Sequence, residues 1–171
     1  MAPLSPLHFQ RWIDEHRHLL KPPVGNQVVY QDTEFIIMVV GGPNERTDYH
    51  IDPAEEFFYQ LEGDMVLKVI EGGEPRDVEI KEGEILLLPA FVPHSPQRRA
   101  NTVGLVVERR RRPGELDAFA WYCQQCGNEL YKESLQLGDI VNDLPPIFDR
   151  FYTVDEHRAC KRCGWVIPAR A

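Results

Sequence analysis

Two short stretches of the sequence place metal-ligating residue types beside apolar runs. The first reads TDYHIDPAEEFFYQLEG and contains His50, Asp52 and Glu56, and the second reads GEILLLPAFVPHSPQR and contains His94. Two imidazoles and one carboxylate leave coordination positions open on one face of an ion, the arrangement that lets ferrous iron bind a substrate and dioxygen together. We therefore predict a catalytic metal site at His50, Glu56 and His94. Asp52 stays an alternative carboxylate ligand, and a structural or surface role stays open for a histidine near acids taken alone.

Four cysteines form two pairs with the spacing of a metal site. Cys123 and Cys126 belong to CQQCG, and Cys160 and Cys163 belong to CKRCG, with 33 residues between the pairs. Each Cys-x2-Cys-Gly turn can direct two thiolates at a tetrahedral ion, and the glycine allows the tight turn. We predict a second, structural metal that staples the C-terminal tail. Tetrahedral sulfur accepts iron or zinc, so both metals stay open, and paired thiols of this kind favour a reducing compartment.

The region between these motifs has the pattern of short β-strands. From Val28 to about Glu108, runs rich in β-branched and aromatic residues alternate with turn sequences such as GGPN, EGD and KEG. The expected strands are QVVY, EFIIMVV, EFFYQL, MVLKVI, DVEI, EILLLP and TVGLVVE. Many short strands at close spacing predict an all-β sandwich or barrel. The open end of a barrel is a natural place for a small-molecule site, because inward-facing side chains converge there.

Helical patterns occur outside this region. Residues 5–20 predict a short N-terminal helix with Ser5 as its cap. A second helix is expected near Pro146–His157, between the cysteine pairs, in a C-terminal stretch whose pattern is otherwise irregular. We expect this stretch to form a small metal-binding tail.

A length of 171 residues fits one domain of ordinary size with a small appendage. We divide the chain into a barrel with its N-terminal helix, residues 1–112, and a C-terminal extension, residues 113–171. The boundary follows the run RRRR at residues 109–112, which we interpret as a solvated strand exit because most charge runs are solvated.

The net charge of −8 argues against the protein classes that need a positive surface. A nucleic-acid binder displaces counterions with Lys and Arg, so we expect no nucleic-acid partner. No window approaches the roughly 20 apolar residues of a membrane span. The N-terminal MAPLSPLHFQRWIDEHRH also lacks the basic and apolar regions of a secretory signal, so we expect a cytoplasmic protein with no membrane partner.

The spacing in both metal-ligating stretches resembles the two motifs of the cupin superfamily. The first cupin motif ends in His-x-His, three or four residues, Glu, six residues and Gly, and the stretch from His50 matches it with Asp52 at the second histidine. The second stretch keeps the motif's spacing around His94, but it has a phenylalanine in place of a glycine and Arg98 in place of an asparagine. The resemblance implies a double-stranded β-helix, the jelly-roll barrel of the cupins.

The departures from the general cupin pattern resemble one family, the short bacterial 3-hydroxyanthranilate 3,4-dioxygenases. The resemblance runs from GNQVVYQDTEFIIMVVGGPNERTDYH through WYCQQCGNELYKE to the terminal CKRCG. It implies a non-haem ferrous iron carried by His50, Glu56 and His94. The implied reaction is extradiol-type cleavage of 3-hydroxyanthranilate by dioxygen to 2-amino-3-carboxymuconate semialdehyde, a quinolinate and NAD precursor of the kynurenine pathway. The resemblance also implies a rubredoxin-like iron site at the cysteines and a homodimer.

The substrate implied by this resemblance carries a carboxylate, which a guanidinium can hold through bidentate, charge-assisted hydrogen bonds. Arg46 precedes His50 by four residues and Arg98 follows His94 by four, so each arginine lies near a metal motif. We assign both arginines to substrate binding and catalysis. A surface ion pair is the alternative for either arginine taken alone.

An acidic residue completes the expected catalytic set. Glu108 ends the strand LVVE and matches the acid that the resembled family places beside its substrate. We expect it to orient Arg98 or to accept a hydrogen bond from the substrate amine or hydroxyl. The remaining candidates are Asn26, Phe58 and Glu56 for substrate contact, and Arg46 and Asp48 for dioxygen.

Two other protein classes compete with this interpretation. A metal cupin with different chemistry, such as a thiol dioxygenase or a sugar isomerase, generally keeps a histidine where Asp52 stands and lacks the paired cysteines. A non-enzymatic binding protein would use the barrel and a C-terminal ribbon for partner or nucleic-acid contact. The acidic balance and the arginines beside the metal motifs disfavour that second class.

Overall fold

The computed structural model describes residues 5–22, 25–44, 46–138 and 140–169, and the side chains of residues 140–142 are not described. Within these ranges the chain forms two antiparallel sheets that face each other, with short helices at either end of the sequence. The all-β prediction is confirmed.

Eleven strands lie within the described ranges, and most of them coincide with the apolar runs of the sequence. They are β1 (Asn26–Val28), β2 (Phe35–Gly41), β3 (Asp48–Ile51), β4 (Glu56–Glu62), β5 (Met65–Glu71), β6 (Glu74–Ile80), β7 (Ile85–Leu88), β8 (His94–Arg98), β9 (Val103–Arg109), β10 (Asp117–Tyr122) and β11 (Glu129–Leu135). One sheet has the order β1-β2-β9-β4-β7, and the other has the order β11-β10-β3-β8-β5-β6. From β3 to β10 the chain crosses repeatedly between the sheets, which is the connectivity of a jelly roll.

The core lies between the two sheets because the strands alternate inward and outward side chains. In β4, Glu56, Phe58 and Gln60 are buried, and in β5 Met65 and Leu67 are buried. Most of these inward positions are apolar and pack into one cluster. Glu56 is an exception, since its carboxylate enters the interior at one end of the sandwich. Burial of a charge requires a compensating partner, so this end of the barrel is where a site is expected.

The N-terminal helix begins later than the sequence predicts. Helix α1 spans Phe9–His16 and continues into a 3-10 turn at Arg17–Leu19. The cap is His8 rather than Ser5, because Nδ1 of His8 accepts a hydrogen bond from the backbone N–H of Arg11 at 3.2 Å. The helix therefore exists as predicted, but its predicted start was wrong.

The C-terminal region is more regular than the sequence suggested. Strand β10 pairs with β3, placing Phe119 opposite His50, and β11 pairs with β10. Helix α2 spans Ile140–Thr153 and helix α3 spans Asp155–Arg158. The six-stranded sheet thus continues past residue 112, and the division of the chain at that point stays a prediction. Among the described residues, every helix is too short or too polar to cross a membrane.

Candidate active site

Strands from both sheets bring His50, Glu56 and His94 together at one end of the barrel. His50 of β3 and His94 of β8 are direct partners in the six-stranded sheet. Glu56 begins β4 in the opposite sheet. Its Oε1 lies 3.2 Å from Nδ1 of His50 and 3.0 Å from Nε2 of His94. The three ligand atoms lie within 4.8 Å of one another, close enough to bind one ion.

Hydrogen bonds on the far side of each ring fix which imidazole nitrogen faces the centre. Nε2 of His50 lies 2.8 Å from Oδ1 of Asp117, and Nδ1 of His94 lies 3.0 Å from the carbonyl oxygen of Val92. A carboxylate and a carbonyl can only accept, so these two nitrogens carry the protons in the neutral rings. Nδ1 of His50 and Nε2 of His94 therefore direct lone pairs towards Glu56.

This convergence of lone pairs needs a positive charge at the centre. Oε1 of Glu56 is buried and has no hydrogen-bond partner. Burial disfavours the charged imidazole, yet the carboxylates of Asp117 and Glu56 raise the pKa of His50 to about 9, so the centre attracts a positive charge. Burial likewise favours neutral Glu56, but His94 and His50 hold its pKa well below the ordinary value. A two-histidine, one-carboxylate donor set in this environment fits a divalent transition metal such as iron.

Asp52 lies close to this centre but has other partners. Its Oδ1 accepts the backbone N–H of Ala54 at 2.6 Å, and its Oδ2 lies 2.8 Å from Nη2 of Arg111. Glu56, and not Asp52, has an oxygen beside both imidazoles. The geometry therefore favours Glu56 over the alternative ligand.

The nine residues assigned to the metal, the substrate or dioxygen at the catalytic site line one cavity of about 610 Å³. This volume lies within the range of about 300–1,000 Å³ for small-molecule sites. Apolar side chains such as Met38, Val40 and Val106 form much of the remaining wall. The nine residues are Asn26, Arg46, Asp48, His50, Glu56, Phe58, His94, Arg98 and Glu108.

Arg98 places a buried guanidinium in this cavity. The residue is 4% exposed, and its Nη1 donates to Oε1 of Gln60 at 2.9 Å, while its Nε has no hydrogen-bond partner. Burial lowers the pKa of Arg98 to about 10. A cation in this condition is suited to an anionic ligand. Gly104 makes room for the guanidinium, since a Cβ at Gly104 would lie 2.5 Å from Nη1 of Arg98.

The second arginine assigned to the substrate already has an acidic partner. Nε of Arg46 donates to Oδ2 of Asp48 at 3.2 Å, and the Asp48 side chain is almost fully buried. The two residues therefore form an ion pair at the cavity wall rather than at the protein surface.

Glu108 has a different partner from the one that the sequence suggested. Its Oε2 lies 3.2 Å from Nη1 of Arg111, and Arg98 bonds to Gln60 instead. The expectation that Glu108 orients Arg98 was therefore wrong, whereas its position in the cavity leaves it free to contact a ligand. Burial, followed by the charge of Glu56, raises the pKa of Glu108 to about 8.

Sequence reasoning missed Arg111 as a residue of this site. Within RRRR, Arg110 and Arg112 are exposed as predicted, but the Arg111 side chain is only 6% exposed and lines the cavity. The solvated interpretation was wrong for this arginine because acids from distant segments surround it. A charge run carries no signal of such partners.

The strand after this arginine supplies two further residues that the sequence did not single out. Asp117 is fully buried and binds both His50 and Arg111. The Phe119 ring stacks on the His50 ring, with centroids 5.0 Å apart and planes 19° apart. Together they fix the position of the His50 imidazole.

The four cysteines form a second cluster at the predicted place. Sγ of Cys123 lies 3.5 Å from Sγ of Cys163, and Sγ of Cys126 lies 3.6 Å from Sγ of Cys160. These separations are far longer than a disulfide bond of about 2.05 Å. All four sulfur atoms lie within 4.8 Å of one another, the arrangement that a tetrahedral ion requires.

The crossing antiparallel sheets and the donor set at one end of them define the protein as a cupin. More narrowly, the chain belongs to the family described as 3-hydroxyanthranilic acid dioxygenase, which matches residues 1–152. The resemblance inferred from the motifs is thereby confirmed.

The chain is also similar to named relatives and to a solved structure. It is 58% identical over 171 residues to a 3-hydroxyanthranilate 3,4-dioxygenase of Jannaschia sp., covering 99% of this chain and 95% of that protein. It is 58% identical over 167 residues to the enzyme of that name from Burkholderia cenocepacia, covering 97% of this chain and 94% of that protein. A cupin-2 domain protein from Shewanella frigidimarina aligns with a TM-score of 0.48 and 16% identity, covering 57% of this chain and 92% of that one.

Proposed function

We propose that the protein is a ring-cleaving dioxygenase that converts 3-hydroxyanthranilate and dioxygen to 2-amino-3-carboxymuconate semialdehyde, a quinolinate and NAD precursor. The observation that carries the proposal is the buried, unbonded Oε1 of Glu56 between lone pairs of His50 and His94. Family membership supplies the reaction. An aspartate at position 52 and the four-cysteine cluster both disfavour a thiol dioxygenase or a sugar isomerase.

His50, Glu56 and His94 would hold the ferrous iron. Bound there, the iron would supply open positions for the ring substituents and dioxygen, and a path for charge from ring to oxygen. The protein's own part is to keep these three donors fixed, through the hydrogen bonds of His50 to Asp117 and of His94 to the Val92 carbonyl. Donors held in this way need no rearrangement when the reactants bind.

Arg98 is the residue that we assign to the substrate carboxylate. Its guanidinium is buried, bonds to the neutral Gln60 and has a free Nε–H, so an incoming carboxylate would gain charge-assisted hydrogen bonds without displacing a protein anion. Arg46 differs, because Asp48 already balances its charge. We assign the Arg46–Asp48 pair to the dioxygen side of the cavity, with Arg46 in secondary contact with the substrate.

Glu108 would accept a hydrogen bond from the substrate amine or hydroxyl. It lies in the same cavity as Glu56 and Arg98. The carboxylates of Glu108, Glu56 and Asp52 have oxygens within 4.8 Å of one another. A ring group bound at the metal would therefore lie within reach of Glu108. Phe58 and Asn26 complete the lining.

The four-cysteine site would hold a second metal, iron or zinc, with a structural role. Its two cysteine pairs lie on either side of β11, α2 and α3 in the sequence. An ion bound there would close this segment into a loop. Reduced thiols at such a site are stable in a reducing compartment, which supports a cytoplasmic protein.

An exposed apolar surface supports the homodimer. On the outer face of the five-stranded sheet, Leu87 lies opposite Phe57, and Phe57 lies opposite Val107. Phe35 at the start of β2, Ile85 and Leu87 in the edge strand β7, and Phe91 after β7 are 55%, 64%, 57% and 66% exposed. Exposed apolar side chains on one sheet face, here called the apolar patch, favour burial against a partner, and we assign this face to a second copy of the chain.

Oxygen uptake tests the proposed function. The protein is reconstituted anaerobically with Fe(II) and then given 3-hydroxyanthranilate in aerated buffer. We expect uptake of about one dioxygen per substrate and appearance of the yellow semialdehyde. Anthranilate, which lacks the hydroxyl, and 3-hydroxybenzoate, which lacks the amine, are the matched controls. Folded, iron-loaded protein that consumes no dioxygen with 3-hydroxyanthranilate would overturn the proposal.

A further inference from the structure

Arg111 lies at the centre of a group of buried acids beside the metal-ligating residues. Its Nη2 is 2.6 Å from Oδ1 of Asp117 and 2.8 Å from Oδ2 of Asp52, and its Nη1 is 3.2 Å from Oε2 of Glu108. One guanidinium therefore reaches three carboxylates. This arrangement does more than balance charge, because Asp52 and Glu108 each have a carboxylate oxygen within 4.8 Å of an oxygen of Glu56.

Asp52 is the acid best placed to enter that centre. It follows His50 by two residues, and its carboxylate has an oxygen within 4.8 Å of one of Glu56, whereas its approach to His50 is in a separate group that includes Asp117. Its Oδ1 is bound to the N–H of Ala54, but its Oδ2 is buried and lacks a hydrogen bond. The nearest cation to Oδ2 is Arg111, at a distance that gives charge attraction without hydrogen-bond alignment. The Glu108 carboxyl is also a hydrogen-bond neighbour of Asp52. A stronger cation would therefore compete with both Arg111 and Glu108 for the Asp52 carboxylate.

The Arg111 guanidinium is itself held rigidly. Its Nε donates to both oxygens of Asp117 at 3.0 Å, and its Nη1 also donates to the carbonyl of Arg109 at 3.2 Å. With one edge fixed on Asp117, the other edge faces Asp52 and Glu108. A planar guanidinium anchored in this way fixes the position of the carboxylates that it attracts.

We propose that Arg111 is a positioning residue that holds Asp52 out of the metal's coordination shell and so keeps open a position that the substrate needs. The inference rests on the proposed metal site. Asp52 is a potential fourth protein ligand, and a bound carboxylate there would compete with the substrate for the ion. When Arg111 is removed, the metal becomes the strongest cation near the Asp52 carboxylate.

Manganese binding tests this assignment without turnover. Mn2+ prefers carboxylate and imidazole to thiolate, so Zn2+ is first bound at the four cysteines and Mn2+ is then titrated by electron paramagnetic resonance. For Arg111→Met we expect affinity for Mn2+ to rise about tenfold, because ligand charge count tunes affinity for hard cations. The affinity of the Mn2+ form for 3-hydroxyanthranilate should fall. A merely structural role for Arg111 would lower both affinities.

Two double variants separate a new ligand from a general change of charge. Arg111→Met with Asp52→Asn and Arg111→Met with Glu108→Gln each replace the arginine and one of the acids that it faces by uncharged residues, and they are compared above about pH 8, where Glu108 is ionised. The first should return Mn2+ affinity to the wild-type value, and the second should not. Equal recovery in both, or an Arg111→Met variant that binds Mn2+ no more tightly than the wild type, would overturn the proposal.

A variant that keeps Arg111 covers the case in which Arg111→Met does not fold. Asp52→Asn alone should bind Mn2+ within about threefold of wild type, because Asp52 is not a ligand while Arg111 is present. A larger loss would contradict the proposal. Failure of the proposed function gives a different result, namely wild-type protein that binds no Mn2+ or, when loaded with iron, consumes no dioxygen.

Discussion

Nε2 of His50 lies 2.8 Å from Oδ1 of Asp117, which joins the metal-facing imidazole of β3 to the first residue of β10. This bond fixes the ring's tautomer and its orientation. It also makes the metal centre depend on a strand beyond the RRRR run. The barrel and the C-terminal region therefore meet at a side chain that we assign to the metal.

Asp117→Asn should weaken the metal site while leaving the fold in place. Asparagine keeps an acceptor oxygen, but it loses the charge that makes His50 a better ligand. We expect affinity for Fe(II) or Mn2+ to fall about 10- to 100-fold, the usual effect of losing an outer partner of a ligand. Asp77→Asn, at an exposed acid of β6, is the control. Unchanged metal affinity in Asp117→Asn would show that the bond has no such role.

Gly104→Ala should weaken substrate binding through Arg98. The new methyl group would lie 2.5 Å from Nη1 of Arg98 and 2.9 Å from Oε1 of Gln60, so the guanidinium must move. Loss of one charged hydrogen bond predicts a KM about tenfold higher, with metal content unchanged. Gly138→Ala is the control, since its nearest neighbour is an ordinary contact at 3.8 Å. If the two variants have the same KM, Arg98 does not hold the carboxylate as assigned.

Cys163→Ser should loosen the C-terminal region more than it affects catalysis. Ile147 and Phe151 of α2 pack on Phe119 and Trp121, so this helix keeps some attachment without the second metal. We expect Tm to fall by on the order of 10 °C and proteolysis after β11 to become faster. Much of the ring-cleaving activity should remain at low temperature. Arg162→Ser, at an exposed residue of the same turn, is the control. Abolished turnover in folded, iron-loaded Cys163→Ser would contradict the structural role.

Leu87→Glu should disrupt the proposed homodimer. The side chain lies within the exposed apolar patch, where burial of a carboxylate without a partner is unfavourable. We expect the dimer dissociation constant, measured by analytical ultracentrifugation, to rise at least about tenfold. Val154→Glu places the same charge at an exposed apolar residue outside the patch and should leave the dimer intact. If the Leu87→Glu protein is as dimeric as the wild type, the dimer interface lies elsewhere on the molecule.

Much of the barrel could be predicted because apolar and polar residues alternate along its strands. Strands such as β4 and β5 have this pattern, and their burial follows it. Strands β3 and β8 were missed because they are short and carry polar residues at buried positions, including Asp48, His94 and Arg98. Their burial depends on partners from other strands, which periodicity does not reveal.

The residues of the candidate site also fall into those that the sequence reveals and those that it does not. Residues at motif spacing, such as His50, Glu56 and His94, could be found from the sequence because the spacing reflects one turn between two strands. Arg111 and Asp117 could not be found, because their roles depend on acids and rings brought together only by sheet pairing.

An iron count tests the central claim most directly. Anaerobically purified wild-type protein, with zinc at the four cysteines, is compared with His50→Ala, Glu56→Ala and His94→Ala, and with His18→Ala at an exposed histidine as the control. We predict about one equivalent of Fe(II) in the wild type and in the control, and less than about a tenth in each of the other three. Stoichiometric iron in any of those three variants, or none in the wild type, would contradict the account.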